Sequence, residues 1–315
     1  MKIVFAGTPA AALPALEALV SSSHQVVGVV TRPPARKGRS KRLIDSPVGA
    51  WAKEQCLPVL ETSHPSQPEA FEWLRERRAD LGVIVAYGAL LRADVLAVPS
   101  HGWINLHYSA LPKLRGAAPV QRAVLAQDPT IGTTVFQLDE GMDSGEILSV
   151  VEHDLSPRWT SGEALDYLSR QSADQLVSAV DAIADGTAVF SPQNVGPNDG
   201  NVTFAPKLGR GDAFVDFQLG PDATAAQIRA VTPAPGAWTT LRGQTFKLGP
   251  VKVALEVGAL KPGQILVEKT RVLVGCRNGA VELGQVAPAG KSWMDAAAWA
   301  RGARLSAEEK LGERE

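Results

Sequence analysis

Cysteine is almost absent: Cys56 and Cys276 are the only two in 315 residues. Two thiols so far apart build neither a disulfide scaffold nor a cysteine zinc site, and they fit a reducing compartment. Aromatic residues make up only 6%, and no stretch approaches 18 apolar residues, which excludes a membrane-spanning helix. Proline (22) and glycine (29) are scattered rather than periodic, which excludes collagen and low-complexity disorder. The five histidines, His24, His64, His101, His107 and His153, form no i, i+4 pair with a carboxylate between and none clusters with cysteine, so no metal is expected. The turn Gly7-Thr8-Pro9 has one glycine where a dinucleotide fingerprint needs three. A phosphate-binding Gly-Lys-Thr loop and a Gly-x-Ser-x-Gly nucleophile elbow are missing as well.

What remains is a globular composition, 45% hydrophobic and 21% charged, with mean hydropathy −0.02. Its length is enough for a large core and predicts two domains. The opening Ile3–Ala6 run breaks at once into a turn, too short for a signal peptide, so a cytoplasmic protein is expected. The net charge of −1 hides an asymmetry. Residues 1–202 carry 17 Lys/Arg against 22 Asp/Glu, whereas residues 203–315 carry 15 against 11. A basic second module for an anionic partner is one reading of that split, ordinary scatter the other.

Strand and helix patterns alternate through the first half. Apolar runs at Ile3–Ala6, Val26–Val30, Leu81–Ala86 and Trp103–His107 read as strands buried on both faces, which with helices between them predicts a parallel α/β sheet with right-handed crossovers. Thr133–Leu138 and Ile147–Val151 add strands near its edge, and Leu165, Leu168, Leu176, Val180 and Ile183 mark one long closing helix. A catalytic domain is thus expected over 1–185, a Gly/Pro-rich linker over 186–208, and a second domain over 209–315. In that last part short strands (Phe214–Phe217, Ala237–Leu241, Thr245–Leu248, Gln264–Val267, Val272–Gly275, Ala280–Leu283) predict a small β-barrel, with helix only at 223–231 and about 295–311.

Chemistry concentrates at two places. In Trp103–His107 the residues alternate, so Asn105 and His107 share one face at the carboxyl end of a strand, where open parallel sheets bind ligands. Standing alone, such a histidine is more often structural. The second place is Asp139-Glu140-Gly141-Met142-Asp143-Ser144-Gly145, a tight acidic loop without EF-hand spacing, from which an acid could pair with His107 and raise its pKa.

Together, Asn105-x-His107-x-Ser109-x-Leu111-Pro112, Arg115-Gly116-Ala117-Ala118-Pro119 and Asp139-x-Gly141-x-Asp143-x-Gly145 resemble the signature of the folate-dependent formyltransferases. The opening Ile3–Pro9 also agrees, as do Ser46–Val48, Val85–Gly88, Ala205–Leu208 and Arg229-Ala230-x-x-Pro233-x-Pro235, so the likeness spans almost the whole chain. It departs at Ala10-Ala11, where an acid and an aromatic are usual, at Ala110, and at Tyr108, where a small residue is usual.

The resemblance implies a Rossmann-like formyltransferase domain followed by an OB-like barrel. It implies transfer of a formyl group from 10-formyltetrahydrofolate, without a metal, to the amino group of methionine carried by initiator tRNA, with the protein acting as a monomer. An amino-sugar or purine-precursor substrate, or a non-catalytic tRNA-binding protein, are the rival readings. Asn105 would donate to the oxyanion, a cationic His107 would polarise the formyl oxygen and shuttle a proton, and Asp143 would orient the imidazole. Ser109, Ala110, Leu111 and Pro112 would lie along the folate, with Ala86, Tyr87, Gly88, Asp139 and Gly141 holding the pterin. The basic run holding Arg36, Lys37, Arg39, Lys41 and Arg42 has no acid, and the resemblance places it against the tRNA acceptor stem, with Lys207 and Arg210 gripping further along.

Overall fold

The computed structural model describes residues 1–36, 43–193, 201–256, 260–306 and 308–313, which divide into two compact units. Residues 1–119, 130–154 and 165–205 make the first, and residues 120–129, 155–164 and 206–315 the second.

The first unit is built on one seven-stranded sheet. Its elements are β1 (Lys2–Gly7), α1 (Leu13–Ser21), β2 (Gln25–Thr31), β3 (Ala35–Arg36), β4 (Leu43–Ile44), α2 (Pro47–Glu54), β5 (Val59–Glu61), α3 (Pro68–Glu76), β6 (Leu81–Val85), α4 (Ala93–Leu96) and β7 (Trp103–His107). After α5 (Pro119–Ala126), which clusters with the second unit, come β8 (Thr130–Gln137), β9 (Ile147–Asp154), α6 (Ser161–Gln171), whose first turn also clusters there, and α7 (Ala173–Ala184). The sheet order is β5-β2-β1-β6-β7-β8-β9, parallel from β5 to β7 and antiparallel at β8 and β9. β1 and β6 are buried along most of their length because both faces of the sheet are covered, which is why their sequences read as unbroken apolar runs rather than alternations. The local signals are ordinary: Pro47 opens α2 and the Ser46 hydroxyl accepts from the Gly49 N–H at 2.9 Å. The strand order reverses between β1 and β6, and the crevice beyond their carboxyl ends is where a doubly wound sheet places its ligand.

The single closing helix expected over 165–183 is two, α6 and α7. The break falls at Ser172, fully buried, whose N–H and hydroxyl both bond the Leu168 carbonyl, and such back-bonding bends helices. The expected linker is also stitched down on its amino-terminal side. Ser191 exchanges two backbone hydrogen bonds with Ile147, and Phe204 bridges in parallel to Arg115. Residues up to Ala205 therefore cluster with the first unit, while 120–129 and 155–164 cluster with the second.

The second unit holds α8 (Pro221–Ala230), β10 (Trp238–Leu241), β11 (Gln244–Leu248), β12 (Val251–Ala254), β13 (Ile265–Val267), β14 (Val272–Cys276), β15 (Gly279–Leu283), β16 (Gln285–Pro288), β17 (Met294–Asp295) and α9 (Ala296–Ala303). Two four-stranded antiparallel sheets, β10-β11-β16-β17 and β12-β15-β14-β13, share a core of Phe246, Leu248, Val272, Val274, Val281 and Trp299. Phe214–Phe217 lies extended against β10 but joins no ladder, ended by Phe217 at φ +62°. α9 stops at Ala303, short of the expected 311, because Arg304 turns left-handed.

Candidate active site

β7 carries Asn105 and His107 on one face, as alternation requires. His107 is 7% exposed, edge-on to the Phe136 ring, and its Nε2 lies 3.1 Å from the Leu114 carbonyl oxygen. A carbonyl only accepts, so Nε2 carries the proton and Nδ1 presents a lone pair. Asp143 Oδ2 faces that Nδ1 at 3.9 Å, an ion-pair separation too long for a direct hydrogen bond. Burial pushes the imidazole below its ordinary value, against the opposing pull of Asp143 and of the Leu114 carbonyl. Burial therefore favours the neutral imidazole at rest, the opposite of the cation that the resemblance implies.

The acid arrives by an indirect route. β8 pairs Gln137 with Ile104, so the β8–β9 connection leaves the sheet near the start of β7 and folds back to reach His107. Three local features permit this. Asp143 sits at φ +50°, a left-handed conformation that Asp tolerates better than most residues. The Gly116 N–H donates to Asp143 Oδ2 at 2.7 Å. Asp139 closes the loop from inside, accepting from the Gly141 N–H at 3.0 Å and the Ser144 hydroxyl at 2.9 Å. Asn105 is half-buried, and its amide bonds no other described residue, which leaves it free for a ligand.

The 109–112 turn is fixed from β8. The Thr134 hydroxyl, opposite His107 in the ladder, donates to the Ser109 carbonyl at 2.6 Å and accepts from the Leu111 N–H at 3.2 Å. Gly132 lets the turn approach, since a Cβ there would meet Ala110 backbone atoms at 2.6 Å. The Ser109 side chain is spent on the Lys113 carbonyl at 2.6 Å, so this turn offers a wall and backbone groups rather than a hydroxyl. Tyr108 is buried and its hydroxyl donates to the Ala11 carbonyl at 3.1 Å, tying the end of β7 to the turn after β1.

Ala86 (φ +50°) and Gly88 (φ +81°) fold the chain sharply after β6. The Tyr87 ring is core rather than lining: its hydroxyl donates to the Thr62 carbonyl at 2.6 Å and burial pushes it up to about 12. Its carbonyl accepts from Thr8 at 2.8 Å, which joins the turns after β1 and β6 across the crevice. The backbone N–H groups of Ala89, Leu90, Leu91, Glu140 and Met142 donate to no other described residue. Half-buried Leu91, Leu96 and Leu138 pack against one core cluster.

Of the expected basic residues, Arg36 is exposed at the end of β3, and Lys37, Arg39, Lys41 and Arg42 lie outside the described residues. Lys207 and Arg210 are exposed in the second unit, the Arg210 guanidinium stacked 4.2 Å over the Trp238 ring. Arg242, by contrast, is occupied by Glu309. Sequence reasoning missed Thr134 and Gln193, whose amide reaches the 143–145 loop; no local pattern marks either.

The formyl transferase family model matches residues 1–180, and its C-terminal domain model matches residues 207–304. A methionyl-tRNA formyltransferase of Salinispora tropica is 47% identical over 99% of the chain and all of that relative, and one of Thermobifida fusca is 46% identical with the same coverage. Among solved structures, an N-formyltransferase of Helicobacter canadensis in complex with folinic acid and dTDP-3-aminofucose superposes at TM-score 0.62 (14% identity, 90% of this chain and 98% of that one). A methionyl-tRNA formyltransferase of Clostridium thermocellum superposes at 0.58 (11% identity, with the same coverage). At those identities the superpositions speak for the fold alone, but with both domain models and near-full-length relatives in agreement, the chain belongs to the formyl transferase family, among the methionyl-tRNA formyltransferases.

Proposed function

We propose that the protein transfers the formyl group of 10-formyltetrahydrofolate to the α-amino group of methionine on initiator tRNA, acting as a monomer in the cytoplasm. The observation that carries the mechanism is the pairing of a free amide donor, Asn105, with two convergent proton acceptors, His107 Nδ1 and Asp143 Oδ2, 3.9 Å apart. No helix among the described residues is long and apolar enough to cross a membrane.

The attacking α-amine must be neutral, and a free one titrates at about 7.7–8.0. Asp143 Oδ2 and His107 Nδ1 are spaced so that one N–H donor between them reaches both. The amine nitrogen attacks the formyl carbon, and its proton passes to this pair. Asn105 donates its amide N–H to the oxyanion that develops, a contact whose loss elsewhere costs about 10²–10³ in rate. His107 then returns the proton to N10 of the folate as the carbon–nitrogen bond to N10 breaks. The Leu114 carbonyl keeps Nε2 protonated throughout, so Nδ1 is the working nitrogen.

Folate would lie with its pterin against the 86–91 turn and the 139–142 loop and its linker along Ser109–Pro112. Arg36 and its basic neighbours in sequence, with Lys207 and Arg210, would contact tRNA phosphates, giving affinity that falls with salt. The test is formyl transfer to methionyl initiator tRNA at two salt concentrations, with uncharged tRNA and a free amino sugar as controls. Turnover on charged tRNA alone, weakening as salt rises, is expected. Transfer to the amino sugar, or tRNA binding with no transfer, would overturn the reading.

A further inference from the structure

Asp143 stands in a backbone conformation that a side chain ordinarily avoids, in a loop whose inner surface holds two carbonyls with no partner inside the loop itself. One side chain meets both. Gln193 Nε2 donates to the Asp143 carbonyl at 2.9 Å and to the Gly145 carbonyl at 2.8 Å, using both hydrogens of a single amide nitrogen. Its amide oxygen accepts from Arg115. That arginine is 9% exposed and, among the described residues, pairs with no carboxylate, so its charge falls on the Gln193 amide. A cation on the oxygen polarises the amide and strengthens the two N–H donors on the other side.

Both ends of this relay are anchored. Ser191 is bridged to Ile147 at the start of β9, two residues before Gln193. Arg115 gives its N–H to the Thr203 carbonyl and takes the Ala205 N–H on its own carbonyl, both at ordinary backbone distances of 2.9 and 2.7 Å. The next residue, Gly116, holds the Asp143 carboxylate at 2.7 Å. Asp143 is thus gripped at its side chain from 116 and at its backbone from 193. Gly145 has no slack, since a Cβ there would lie 1.8 Å from the Gln137 carbonyl oxygen. Release of the amide therefore shifts the acid rather than the strands.

We propose that Gln193 is a positioning residue for the formyl-transfer reaction, holding Asp143 in register with His107 Nδ1 through an amide polarised by Arg115. The inference rests on the reading that Asp143 and His107 move the proton. It assigns a role in kcat to a residue of the first unit that the sequence pattern reads as connector. A displacement of about 1 Å at a reacting group can cost 10²-fold, whereas the Gln193 amide is spent on Arg115 and the loop carbonyls and contacts neither substrate in this scheme.

Gln193→Glu is the decisive variant, with Gln193→Ala and Gln193→Asn beside it. A carboxylate at 193 keeps and strengthens the pairing with Arg115 but sets acceptors against the Asp143 and Gly145 carbonyls. A merely structural partner for Arg115 is preserved by Gln193→Glu; a positioning amide is not. The expected result is a kcat lowered about tenfold or more in Gln193→Glu and Gln193→Ala with KM for both substrates within about threefold, and partial recovery in Gln193→Asn. Thermal unfolding of Gln193→Glu should stay within a few degrees of the parent. A Gln193→Glu kcat within twofold of the parent, a change confined to KM, or a kcat loss that only tracks loss of folded protein overturns the proposal. Asp143→Asn separates the two levels. If Asp143→Asn is inactive and Gln193→Glu is parental, only the role of Gln193 falls. If Asp143→Asn turns over like the parent, the proton-transfer reading and the role of Gln193 fall together. If Gln193→Ala does not fold, Gln193→Glu and Gln193→Asn still decide.

Discussion

At the end of β7, polar groups are held by neighbours that leave them little freedom. His107 is fixed by the Leu114 carbonyl and Phe136, and Asp143 by Gly116 and a left-handed backbone. In the second unit, the basic groups assigned to tRNA stand in solvent; Lys207 has no partner among the described residues and Arg210 only a ring and a long contact to Thr245. The difference follows from what each region must do. Proton transfer needs atoms placed within about half an ångström. Phosphate contacts add charge by charge, through counterion release, and tolerate side-chain freedom. The first region should therefore respond to substitution all at once and the second in small additive steps.

The sharpest way to break that contrast is at Asn105 and His107. Asn105→Ala and His107→Ala should each lower kcat by about 10²–10³ or more while tRNA affinity, measured by filter binding, stays within about twofold. If tRNA binding collapses too, the separation of chemistry from grip is wrong. Acidity comes next. Protonation of the substrate amine below about pH 7.7 lowers the rate about tenfold per pH unit; burial holds the folded His107 below its ordinary value of about 6.5, so its own protonation should steepen that fall only below pH 6.5. Stability has the same sign. The unfolded chain takes up that proton first, so His107 contributes a loss of stability that begins near pH 6.5 and levels off below the folded value. Urea unfolding at pH 7.5 and 5.5, parent against His107→Gln, measures it; an identical pH dependence in both would remove the buried neutral imidazole from the account.

The additive region calls for a salt titration. Lys207→Ala and Arg210→Ala should each reduce the slope of log affinity against log salt by about 1 and leave kcat untouched. The smallest effect is expected at Tyr108→Phe. It removes one hydrogen bond to Ala11 from a buried hydroxyl and should cost about 1 kcal/mol in unfolding free energy, with kcat nearly unchanged. A large kcat loss there would extend the rigid region as far as the turn after β1.

Legibility in the sequence tracked the range of the interaction. Strands buried on both faces announce themselves as apolar runs, and the two-residue alternation of β7 alone put Asn105 beside His107. The acidic loop stood out by composition, but its path back over β7 depends on the β7–β8 register, which no local pattern carries. The sign of the His107 shift was misread because the attraction of a nearby acid is visible in a motif and the cost of burial is not. The helix break at Ser172 hid because the apolar periodicity runs straight through it. β12 and β16 escaped notice as four-residue strands with only one or two buried apolar positions each. Gln193 could not have been found at all: it lies 50 positions from Asp143, beside a proline in a stretch whose composition reads as connector.

That last placement has a bearing on how this enzyme can be cut apart. A fragment ended at residue 185, where the helical pattern stops, would lack the Ser191–Ile147 bridge, the Gln193 amide and the strand-like 203–205 segment alongside Arg115. It would retain every residue of the recognised catalytic motifs and still leave Arg115 without its partner. For anyone dissecting the protein, a fragment carried through Ala205 keeps these contacts, while 120–129 and 155–164 within it cluster with the second unit.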